Sequence, residues 1–130
     1  MYTAETRNIR VSVLPVYIDE RSLPAANRYF WAYRVTIENL GDTTVQLVSR
    51  YWNIVDANGR IEEVRGAGVV GEQPILNPGD RFEYTSGCPL TTPSGFMRGT
   101  YQMTSPSGDR FDVAIPAFPL DLPDARPSVN

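Results

Sequence analysis

The chain has no histidine, no lysine and a single cysteine. Without histidine, Ser-His-Asp and Cys-His catalysis are excluded, as is every imidazole metal ligand. Without lysine, Schiff-base chemistry and the lysine of a phosphate-binding P-loop are excluded, and every basic residue is arginine. The lone Cys88 cannot close an intrachain disulfide. No apolar leader-like segment opens the chain and no hydrophobic run is long enough to cross a bilayer, so we expect a cytoplasmic protein. A formal net charge of -3 gives no general attraction for nucleic acid or an anionic membrane, and neither is expected as a partner. Any catalysis left open has to use carboxylates, tyrosines, serines, threonines or a metal on oxygen ligands.

What is present is alternation. At 130 residues the chain suits one hydrophobic core. In "NIRVSV", Ile9, Val11 and Val13 share one face and Arg10 and Ser12 the other. "YFWAYRVTI" puts Tyr29, Trp31, Tyr33, Val35 and Ile37 together. "VQLVSRYWNIVD" reads as a strand with Val48, Trp52 and Ile54 on one side and Val45, Leu47, Tyr51 and Val55 on the other. Asn58-Gly59 then signals a hairpin that brings Arg60 to Arg65 back antiparallel. Further strands carry Phe82 and Tyr84, then Met97, Tyr101 and Met103, then Phe111, Val113 and Ile115, with "SGCPLTTPSG" between two of them read as a loop. About seven short strands, turns between them and no helical period predict an all-β, immunoglobulin- or fibronectin type III-like sandwich over residues 1–120, with 121–130 as a flexible C-terminal tail. Ile9, Val11, Trp31, Tyr33, Val35, Trp52, Tyr101 and Val113 are its expected core.

One motif interrupts this pattern. "RGAGVVGEQP" contains Gly66, Gly68 and Gly71 at the G-x-G-x-x-G spacing of a dinucleotide-binding loop. That loop works because a helix follows it and aims free N–H groups at phosphate. Here Pro74 and Pro78 follow and no 3.6-residue period appears, so a Rossmann fold is not expected. In a sandwich such glycines serve a bulge, a positive φ or a close backbone approach. Two ligand-binding alternatives remain: a peptide or protein contact, and an anion held by a nest of backbone N–H groups with Arg65 as a bidentate donor.

The quoted stretches carry a resemblance. "YRVTIENLG", "VQLVSRYWNIVDANG", "GAGVVGEQPILNPGDRFEYTSG" and "GFMRGTYQM" follow one another as in the ApaG family of small bacterial proteins, over nearly the whole chain. The resemblance implies a fibronectin type III-like sandwich and an association with cobalt and magnesium tolerance, and it brings no defined reaction. It also implies relatives inside eukaryotic F-box proteins and a polymerase-delta-interacting protein, and attaches a suggested phosphate or nucleotide role to Gly66, Gly68 and Gly71.

The metal association draws attention to Glu62, Glu63, Glu72 and Asp80, but neighbouring strand residues face opposite ways and cobalt favours nitrogen or sulfur donors. We expect no directly bound metal and no cofactor. Ser86 lacks a base and a nucleophile-elbow frame, and Cys88 lacks a histidine to activate it. The expectation is a non-enzymatic module that contacts another protein, its link to metal tolerance indirect. The alternative is nucleotide or pyrophosphate binding, with or without cleavage, through Arg65, Gly66, Gly68, Gly71 and Glu72.

Overall fold

The computed structural model describes residues 1–123. Nine strands follow one another: β1 (Tyr2–Thr6), β2 (Ile9–Tyr17), β3 (Tyr29–Asn39), β4 (Val45–Asp56), β5 (Ile61–Ala67), β6 (Ile75–Leu76), β7 (Arg81–Leu90), β8 (Gly95–Thr104) and β9 (Arg110–Leu120). Two single-turn 3-10 helices, Asp19–Arg21 and Pro24–Ala26, interrupt the connection from β2 to β3. One sheet has the order β1-β2-β3-β7; the other has β5-β4-β8-β9, with β6 pairing β4 beyond the end of β5. Every pairing is antiparallel. The expected all-β sandwich is therefore what the chain forms, with nine strands among the described residues rather than about seven.

The inward faces meet in one core. Ile9, Val11, Val13, Trp31, Tyr33, Val35 and Ile37 from the first sheet pack against Leu47, Trp52, Met97, Tyr101, Met103, Val113, Ile115, Phe118 and Leu120 from the second. All eight residues expected in the core are buried. Trp52 is boxed by Tyr33 and Phe118 at ring-centroid distances of 5.2 and 5.9 Å, edge-to-face geometries that add to the area they bury. Trp31 donates its indole N–H to the carbonyl of Asp121 at 2.8 Å, and Leu122 packs on the core. Core contacts thus run past residue 120; residues 124–130 of the expected tail lie outside the described residues.

Two sequence expectations are corrected. In β4, Val45 and Leu47 are buried together with Trp52 and Ile54, because the pairing with β8 shifts register between Leu47 and Ser49. A bulge adds one residue there and exchanges the faces, so the strand's two halves follow different parities. The "SGCPL" part of the expected loop belongs to β7, where Ser86, Gly87, Cys88, Pro89 and Leu90 pair with Tyr33 to Tyr29. Gly87 is there because the Phe30 ring lies over it and leaves no space for a β-carbon, and Pro89 is tolerated because β7 is an edge strand.

The two lateral sides of the sandwich differ. β1 and β9 close against each other, and the Thr6 hydroxyl accepts the Ala114 N–H at 3.1 Å. On the other side β7 and β5 are the edges of their sheets. Asn39, buried at the end of β3, pins one pole: its amide donates to the carbonyls of Thr43 and Leu76 and its Oδ1 accepts the Gly41 N–H.

Candidate functional site

The glycine motif forms the last residues of β5 and a tight hairpin. Val69 and Glu72 exchange both backbone hydrogen bonds, at 2.8 and 2.9 Å. Between them Val70 (φ 43) and Gly71 (φ 83) are both left-handed, which is the signature of a type I′ turn. Val69 is fully buried, whereas Val70 at the tip is 55% exposed. The Gly68 N–H donates to the Val48 carbonyl and the Gln73 side chain to the same oxygen, so both arms of the hairpin are tied to the bulge of β4.

Each glycine meets a different requirement. Gly66 lies opposite Arg50 in the β4–β5 ladder, and a β-carbon on it would stand 2.8 Å from an Arg50 guanidinium nitrogen. Arg50 uses that space to reach across and donate to the carbonyls of Ala67 (3.1 Å) and Gly68 (2.9 Å). Gly68 is left-handed at φ 61, and a β-carbon there would collide with the Glu72 carbonyl oxygen. Gly71 has open space around it and needs only its positive φ. No helix follows the motif among the described residues, and the N–H groups of Gly68, Val69 and Glu72 are occupied within the chain.

Arg65 is next to these glycines in sequence, yet its guanidinium lies on the outer face of β5, over the Tyr51 ring at 4.4 Å. The Tyr51 hydroxyl donates to Glu63, and the Asn53 amide donates to the Tyr51 hydroxyl. Gly66, Gly68, Gly71 and the backbone of Glu72 are thus assembled into one hairpin, while Arg65 belongs to a Tyr51-centred cluster beside it. The Glu72 side chain is exposed. Glu63 is engaged by Tyr51, and Asp80 accepts the Asn77 N–H.

The nucleophile candidates lie apart from this loop. Cys88 is buried on β7, and burial pushes its thiol up to about 12, far from thiolate chemistry at neutral pH. Tyr84 and Tyr101 share a hydroxyl–hydroxyl hydrogen bond between the sheets, and burial raises both phenols above their ordinary value. Burial likewise raises Tyr33, against an opposing hydrogen bond with Ser86. Arg50 and Val70 are the residues that sequence reasoning passed over. Arg50 shares the parity of Trp52 in "SRYWNI", which already placed a charge on the core-facing side; nothing in the sequence marks Val70 as left-handed.

Fold and hairpin together define a small all-β sandwich domain with a glycine-built turn clamped to the bulge of β4. The chain belongs to the ApaG family: the family model described as "ApaG domain" matches residues 19–105. A relative named Protein ApaG from Mesorhizobium japonicum is 62% identical over 130 residues, covering 100% of both chains. One of the same name from Brucella canis is 58% identical over the same span and coverage. A Bordetella pertussis crystal structure, described as an ApaA protein, superposes with a TM-score of 0.87 at 48% identity over 95% of this chain and 99% of that one. No helix among the described residues is long and apolar enough to cross a membrane.

Proposed function

We propose that this chain is a non-enzymatic protein-interaction module that docks its partner on the tip of the Val69–Glu72 hairpin, and that its link to cobalt and magnesium tolerance runs through that partner. The supporting observation is Val70. A β-branched residue held at φ 43 costs about 1–2 kcal/mol, and asparagine or glycine would adopt the same turn with less strain. Val70, 55% exposed at the tip, recovers only part of that cost by packing. Strain kept at an exposed apolar tip has its use outside the fold. Ile75 on the return arm is a second exposed apolar residue, at 60%. The buried thiol of Cys88 and the absence of histidine favour the non-enzymatic reading, and a single reduced cysteine suits the cytoplasm we propose.

Val70→Asn tests this. The substitution creates an Asn-Gly type I′ turn and raises the melting temperature by about 3 °C or more. Protein captured from lysate by the wild-type chain is lost with the variant. Capture of the same protein at the same level by Val70→Asn overturns the hairpin as the contact.

A second reading, nucleotide or pyrophosphate binding, is favoured by a feature where β4 ends and β5 begins. Arg21, Arg28 and Arg60 line one pocket of about 430 Å³ together with the carboxylates of Asp56 and Glu62, and among the described residues none of the three arginines meets a carboxylate within 4.0 Å. A thermal shift with pyrophosphate that Arg60→Glu abolishes and Arg65→Ala leaves intact assigns anion binding to that pocket. The reverse pattern assigns it to the glycine hairpin.

A further inference from the structure

An edge strand exposes unpaired backbone groups and invites a second strand unless something blocks it. β1 and β9 close against each other, and β7 carries Pro89, which has no N–H to offer. β5 has neither device. Among the described residues it pairs only with β4, and Ile61 at its start is 57% exposed.

We propose that β5 is the edge on which two copies of this chain pair, antiparallel about a two-fold axis through Val64, joining their second sheets into one. Register selects this pairing. Residues directly opposite in such a pair share a face, so a two-fold pairing must place its axis on a residue. With the axis on Val64 all seven residues of β5 pair. On the outer face Glu63 then lies opposite Arg65 of the second copy and Arg65 opposite its Glu63, while Ile61 meets Ala67. On the inner face Val64 meets Val64, and Glu62 meets Gly66. Moving the axis one residue either way sets Glu63 against Glu63 or Arg65 against Arg65 and shortens the pairing. The full-length register is thus the complementary one, and its neighbours are repelled.

Tyr51 prepares both charges. Its hydroxyl holds Glu63 and its ring supports Arg65, so the two side chains stand on one face, two residues apart, before any partner arrives. Neither forms an ion pair among the described residues of a single copy. The interface is isologous and closes on itself as a dimer instead of propagating as a fibre.

Sedimentation velocity on the full chain at high micromolar concentration and low salt tests the proposal. The wild type is expected at twice the monomer mass and to dissociate as salt is raised. Glu63→Arg and Arg65→Glu, each alone, oppose like charges twice and are expected as monomers with melting temperatures close to the wild-type monomer. Mixed in equal amounts they regain the dimer, because the edge carrying two arginines then faces the edge carrying two glutamates. The double variant Glu63→Arg/Arg65→Glu dimerises by itself. A wild-type monomer under these conditions overturns the proposal. So does a dimer that either single reversal leaves intact, which would place the interface on another surface.

Discussion

Two turns of this molecule use the same backbone conformation and justify it differently. Arg7-Asn8, between β1 and β2, and Val70-Gly71, at the tip of the hairpin, both place two consecutive residues at positive φ. Arg7 is left-handed at φ 48, but its side chain is occupied: it donates to Asp109 at 2.7 Å and covers the Phe111 ring at 4.1 Å. The strain of that turn is offset by contacts that tie the β1–β2 hairpin to the β8–β9 end of the other sheet. Val70 has comparable strain and leaves more than half of its surface in solvent. A left-handed residue with a local return is a structural device, and one that stays largely in solvent supports the docking tip proposed above.

The largest expected effect tests the clamped half of the hairpin. Gly68→Ala forces a β-carbon toward the Glu72 carbonyl at a positive φ, adding the left-handed penalty to a lost turn hydrogen bond. Thermal unfolding should show a loss of about 2–3 kcal/mol. Arg50→Ala comes next. It removes two hydrogen bonds that one guanidinium nitrogen donates to the carbonyls of Ala67 and Gly68 and should cost about 1.5–3 kcal/mol, with faster hydrogen exchange confined to the hairpin and the β4 bulge. An unchanged exchange pattern would show that β4 holds the hairpin without this latch.

The next two substitutions address the two turns directly. Arg7→Ala keeps a left-handed residue but deletes the exposed ion pair and the ring contact, and should destabilise by about 1 kcal/mol. Val70→Asn should stabilise by a similar amount. Opposite signs in denaturant midpoints sustain the distinction; equal signs would break it. The smallest effect is expected from Arg65→Ala, within about 0.5 kcal/mol for the folded single copy, because its ring contact is exposed.

The sandwich was legible in the sequence wherever one face of a regular strand is buried. Trp31, Tyr33 and Val35 on β3, and Tyr101 and Met103 on β8, alternate without interruption and are buried as expected. Legibility failed where regularity did. The bulge after Leu47 inverted the two halves of β4, and no local residue announces it, since its cause is the pairing with β8 and the hairpin tied to Val48. Gly87 and Pro89 read as turn residues, but they answer to Phe30 across the ladder and to an edge position. β1 escaped notice because its residues are exposed or half-buried, and β6 because two residues carry no period. At the candidate site the glycine spacing was visible. Its physical content was not, because Arg50 and the Glu72 carbonyl become neighbours of Gly66 and Gly68 only after folding.

Cys88 gives the molecule a clock of its own. It sits on β7 opposite Trp31, with its thiol pushed up to about 12 by burial. A thiol-reactive dye therefore waits for the strand to part from β3, and where reclosing outpaces the dye, the labelling rate reports the fraction of time that edge is open. Since the chain has no other thiol, one absorbance trace follows a single hydrogen-bonded seam, and labelling no faster than global unfolding would mean that the seam never opens alone.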